Sequence, residues 1–133
     1  MPFTIEVVPE QCLVHLIASG AFDFETARSA MQQVSESLER HLELGLGILI
    51  DVRATDYTPS TTEIRHFANR HSEMTQTWKN PAAVVAPAGV RFGMARMMCA
   101  LIELAGGKCS AFTEPDEARA WLAVEVEKLR HAP

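Results

Sequence analysis

Three short apolar runs, "LGILIDV", "AAVVAP" and "CSAF", recur along the chain, and each is followed by a segment of helical pattern. This alternation constrains the fold more than any other feature. A strand covered on both faces reads as a continuous apolar run rather than an alternating one. Strands that alternate with helices pair in parallel through right-handed crossovers. The sequence therefore predicts an open α/β sheet.

The N-terminal part adds two strands of a different kind. "FTIEVVP" alternates with a period of two, "CLVHLIASG" is nearly continuous in apolar residues, and Pro9, Glu10 and Gln11 between them read as a tight turn. The first strand should thus be antiparallel to the second. Asp23 precedes a helix with its apolar stripe at Ala27, Met31, Val34, Leu38 and Leu42, and Gly45 supplies the stop. A second helix is expected from about Ser60 to Trp78, with Ile64, Phe67, Ala68, His71, Met74 and Trp78 on one face. "FGMARMMCALIELAGG" reads as a third helix, apolar on nearly all sides, and "EPDEARAWLAVEVEKL" as a fourth with Ala118, Trp121, Leu122 and Leu129 on its stripe. The order is β-β-α-β-α-β-α-β-α: one five-stranded, mostly parallel sheet in a single domain over residues 1–133.

Charge and cysteine usage narrow the function classes. A formal charge of −5 argues against nucleic acid, whose binding needs clustered Lys and Arg. No window is apolar enough for a membrane span, and "MPFTIEVV" lacks the basic and apolar regions of a signal peptide, so a cytoplasmic location is expected. Cys12, Cys99 and Cys109 are odd in number and lack CxxC spacing. Neither a disulfide framework nor a zinc site is indicated, and buried free thiols are expected. No metal or cofactor is called for.

In open α/β sheets the loops after the carboxyl ends of parallel strands gather on one edge, where ligands bind. "SGAFD", "RATDYTPST", "PAGVRF" and "TEP" meet there. Ser60 or Thr58 is suited to N-cap the second helix, Pro59 to its first turn, and Glu63 completes a capping box with Ser60. Gly89 opens the third helix and Arg91 follows in its first turn. With Arg53 from the neighbouring loop, Arg91 is placed to fix a carboxylate or phosphate beside Tyr57 and Phe92. The other reading has both arginines at the surface or paired with Asp51 or Asp56. His71 lies on an apolar stripe and reads either as a core histidine hydrogen-bonded to a backbone carbonyl or as one lining a pocket under the strand ends, although three turns into its helix it sits deep for this edge. His66 is on another face, so the two are not placed as metal ligands. Met94, Met97 and Met98 give the third helix adaptable packing, for a core, a pocket or an interface. No nucleophile and base are spaced as a catalytic pair.

The element order, "ILIDV" before a hydroxyl-rich helix start, "FGMARMM" and "EPDEARAWL" together resemble the SpoIIAA-like family of STAS-type domains, related in fold to the lipid-binding CRAL-TRIO domains. The resemblance covers nearly the whole chain. It implies a phosphorylatable Ser at the start of the helix after the third strand, and Ser60 falls there. The family's switch reads Asp-Ser-Ser-Gly, whereas this chain reads Pro59-Ser60-Thr61-Thr62. Ser60 is accordingly either a switch or a plain N-cap. The resemblance implies a non-enzymatic regulatory or protein-interaction module, or alternatively a carrier or sensor of a small apolar or acidic, lipid-like ligand. A homodimer through the third helix is also expected, since that helix carries more apolar surface than one core face needs. A cavity beneath the third helix would favour the carrier, and a flat edge with Ser60 exposed the switch.

Overall fold

The computed structural model describes residues 2–76 and 79–131. Among the described residues, five strands, β1 (Phe3–Val8), β2 (Leu13–Gly20), β3 (Gly47–Thr55), β4 (Ala82–Val85) and β5 (Cys109–Phe112), alternate with four helices after the N-terminal hairpin. The helices are α1 (Phe24–Arg40), α2 (Thr61–Met74), α3 (Val90–Leu104) and α4 (Pro115–Arg130). The spatial order of the strands is β1-β2-β3-β4-β5, with β1 antiparallel to β2 and every other pair parallel. The predicted order and sheet type are the observed ones.

That strand order dictates where the helices lie. Each of the three crossovers moves one strand over in the same direction, so right-handedness puts α1, α2 and α3 on one face of the sheet. Val14, Leu16, Ile48 and Val84 point to that face and form the main core with Ala30, Val34, Ala95 and Ile102. The helix after the last strand returns across the other face. There Leu13, Leu49, Ala83 and Val85 pack on Ala118 and Leu122 of α4. Gly47 faces α4 as well, and an added Cβ would stand 3.0 Å from Val126 and 3.1 Å from Leu122, which accounts for a strand beginning on glycine.

Several boundaries differ from the sequence reading. The first helix stops at Arg40, and Leu42 belongs to a short 3-10 turn, Leu42–Leu44, ended by Gly45 in the left-handed region. The second helix ends at Met74, where the Thr75 hydroxyl donates to the His71 carbonyl at 2.9 Å and closes the last turn; Trp78 lies outside the described residues. The third strand runs on to Thr55, so Arg53 is a strand residue and not a loop residue. Cys99 and Cys109, expected as free thiols, are paired as a disulfide because α3 folds back along β5 and brings their Cα atoms to 4.8 Å. Cys12 is free.

Candidate functional site

An irregularity in β3 shapes the edge where the candidate residues gather. Ile17 of β2 faces Asp51, but Ser19, two residues on, faces Ala54, three residues on. The extra residue is a bulge, and it shifts the alternation of side chains beyond it. Ile48, Ile50 and Val52 face the three-helix side, and after the bulge Thr55 joins them.

Beneath α1, α2 and α3 these residues wall a cavity of about 120 Å³. Its helical walls include Ala27, Met31 and Val34 of α1, Ile64, Phe67 and Met74 of α2, and Met94, Ala95 and Met98 of α3. Partly exposed lining residues stand at the carboxyl ends of the strands: Phe22 after β2, Tyr57 and Pro59 after β3, and Arg91 after β4. This is the edge that the sequence selected. Few polar side chains reach the lining: Thr55, Tyr57, His71 and Arg91.

Tyr57 and Ser60 share an organising carboxylate. The Ser60 hydroxyl accepts from the Glu63 N–H at 3.2 Å, and Glu63 Oε1 accepts from the Ser60 N–H at 2.9 Å, a complete capping box. The same oxygen accepts from the Tyr57 hydroxyl at 3.0 Å. Burial first, and then this bond, raise the Tyr57 phenol well above its ordinary pKa, so the ring presents a neutral donor. With Ser60 as N-cap, Pro59 lies just outside the helix, where it and Ile64 both reach the cavity. Ser60 itself is exposed, away from the lining. The Pro and hydroxyls of this loop thus divide between capping the helix and closing the cavity.

The two arginines expected to converge do not. Arg91 reaches back across the strand ends and donates to the Thr55 carbonyl. Arg53 stands with Asp51 on the opposite face of the sheet, because the strand continues through it. Its guanidinium meets the Asp51 carboxylate at 2.8 and 3.0 Å. Burial opposes ionisation of Asp51, but the bonds from Arg53 outweigh it and hold the carboxyl below its usual range. Of the proposed ligand residues, Tyr57 and Arg91 line the cavity. Gly89 is the N-cap of α3, with a φ of 107° that glycine tolerates, and neither it nor half-buried Phe92 is in the lining.

Of the two readings of His71, the structure has the pocket-lining one, in spite of its depth. The cavity runs back along β3 from Thr55 to Ile48, so it reaches the third turn of α2. His71 is 3% exposed, and its Nε2 is buried without a hydrogen-bond partner among the described residues. Burial alone lowers its pKa to about 4, so the ring is neutral near pH 7. The sequence signal was present, a histidine on an apolar stripe, but its depth relative to the cavity needed the assembled helices.

A solved structure covers this architecture almost from end to end. An uncharacterized protein of the DUF3478 family from Shewanella loihica PV-4, described as having a SpoIIAA-like fold, superposes with a TM-score of 0.55 at 17% identity, over 90% of this chain and 91% of that one. This chain has a SpoIIAA-like fold. Neither a protein-family model nor a curated protein matches the sequence. The identity is low enough that the likeness concerns the fold alone. Among the described residues, no helix is long and apolar enough to cross a membrane.

Proposed function

We propose that this protein is a non-enzymatic binding module for a small, mostly apolar molecule, a carrier or sensor built on the SpoIIAA-like fold. One observation carries this reading: an apolar cavity at the ligand-binding edge of the sheet, with a few polar groups set into its wall. Its size limits the ligand. An engineered apolar cavity of about 150 Å³ holds benzene, whereas drug-sized ligands need about 300–1,000 Å³. A volume of about 120 Å³ therefore suits about six non-hydrogen atoms, not a long acyl chain of the kind that kinship with lipid-binding domains suggests. Met31, Met74, Met94 and Met98 line it, and their flexible side chains let it adjust to shape. Arg91 remains for an acidic head at the mouth, since a guanidinium has five N–H donors and Thr55 is an acceptor for one group of them.

The test is an NMR titration of 15N-labelled protein with benzene and with hexanoate. Saturable shifts confined to Leu16, Ile48, Met94, Ala95 and their neighbours are expected. Absence of saturable shifts for both probes defeats the proposal.

A second reading, an interaction through α3, is favoured by a separate observation. Val90, Gly93, Met97, Ala100 and Leu104 form an apolar row at alternating intervals of three and four residues, all on the exposed side of the helix. Val90 and Leu104 are 72% and 84% exposed, too much for residues serving only the core. This is the spacing of a helix-pairing seam, with small residues at two positions to let backbones approach. Arg96 and Glu103 flank it on one side, seven residues apart. In an antiparallel pair each Arg96 would face the Glu103 of a second copy, so the face is complementary to itself. A second copy of this chain is the partner it fits. One four-turn helix pair is smaller than a standard interface, so the dimer should be weak and reversible.

A further inference from the structure

The ligand that the cavity takes is defined more closely by His71, and this inference rests on the binding reading above. Three observations meet at one ring. His71 lines the cavity, it is 3% exposed, and its Nε2 has no hydrogen-bond partner among the described residues. Folded proteins leave few buried polar atoms unpaired, because each one forfeits its hydration without replacement. A bound molecule that supplies the missing partner would recover that loss. The lining is otherwise apolar except for Thr55, Tyr57 and Arg91, and among the described residues none of these is within hydrogen-bond distance of Nε2.

We infer that His71 recognises a hydroxyl group on the buried end of the ligand, so that the ligand class is a small alcohol or phenol with one apolar ring or short chain. The choice of a hydroxyl follows from the chemistry of the ring. Neutral imidazole presents a donor on one nitrogen and an acceptor on the other, and a hydroxyl can pair with either. A carboxylate only accepts and an ammonium only donates, and either would bring a charge into an apolar interior at great cost. The neutral ring supplies no counter-charge to offset it. Charged ends belong at the mouth with Arg91, and the deep end takes a neutral one.

The experiment compares phenol with benzene, which differ by the hydroxyl alone. In the wild-type protein, phenol should bind more tightly than benzene, by roughly three- to tenfold from one neutral hydrogen bond. In His71→Leu the hydroxyl would be buried with nothing to pair it, so benzene should now bind more tightly than phenol. The ratio of the two affinities should move by at least about tenfold between the proteins. Substitution by His71→Gln should restore part of the phenol preference, which a merely structural role for the ring would not produce. Should the variants fail to fold, the 15N signal of His71 Nε2 in the wild-type protein decides instead: phenol, by hydrogen bonding, should shift it well beyond the small ring-current shift that benzene gives. The same affinity ratio in wild type and His71→Leu overturns the inference, as does a wild-type preference for benzene or an Nε2 signal that both probes move alike. Binding of neither probe removes the cavity reading and this inference with it, whereas binding of both without discrimination removes the inference alone.

Discussion

His71 ties the stability of the protein to pH with a definite sign. Its folded pKa, about 4, lies below the ordinary value of 6.5, and burial is the cause. The unfolded chain therefore takes up a proton first as pH falls, and the contribution of this group, fully present above pH 6.5, is lost between 6.5 and about 4. Denaturant titrations at pH 6.5 and 5 should differ by roughly 1–2 kcal/mol more for the wild type than for His71→Leu. Equal differences in the two proteins would show that the ring is not held neutral. Ser60 makes a different kind of contribution. Its hydroxyl receives the Glu63 N–H, so Ser60→Ala should lose about 1 kcal/mol in the same assay, while Ser60→Asp, which also caps, should stay close to wild type. Because Ser60 is exposed and outside the cavity lining, neither change should alter benzene affinity; a large change in either variant would place Ser60 in the binding site.

Among the elements, α3 has two working faces. Arg91, Met94, Ala95 and Met98 close the cavity on the inside, and the row through Met97 stands outside. Met97→Glu introduces like charges at the centre of the proposed self-pairing without touching the cavity. Sedimentation should then show a monomer at concentrations where the wild type is partly dimeric, with thermal stability little changed; a wild type that stays monomeric into the millimolar range would dispose of the helix pairing. The same helix shows what could be read in the sequence. Its excess of apolar residues was visible, but the separation into inner and outer faces required knowing which side meets β5 and α2. Strand order was legible because alternation and handedness leave little choice. The fate of Arg53 was not, since it turned on a strand continuing to Thr55 and on one extra residue in β3, which no periodicity marks. The pairing of Cys99 with Cys109 likewise depends on the path of the chain from α3 into β5, and spacing alone says nothing of it.

For the whole molecule, the cavity sets binding against stability. An unfilled apolar space costs about 24 cal/mol per Å³ in packing that is not made. At 120 Å³ the cost is about 3 kcal/mol, a large share of the 5–15 kcal/mol by which a domain is usually stable. A fold with no use for the space could recover part of that by enlarging one side chain. Ala95, buried in the lining on α3, is the position to try. Ala95→Leu adds methyl groups on the cavity side of the helix and keeps a strong helix former. If the space is as open as its volume indicates, the variant should melt a few degrees higher than wild type, since 1 kcal/mol moves the midpoint of a domain this size by about 2–8 °C. It should also lose its response to benzene, whereas the wild type should gain about 1.4 kcal/mol of stability at benzene concentrations near ten times Kd. In a packed core the same substitution would instead cost about 1–3 kcal/mol through overpacking. Stability and benzene response should therefore move in opposite directions in Ala95→Leu, and a variant that is destabilised while benzene has no effect on the wild type would mean that the three helices enclose no usable site.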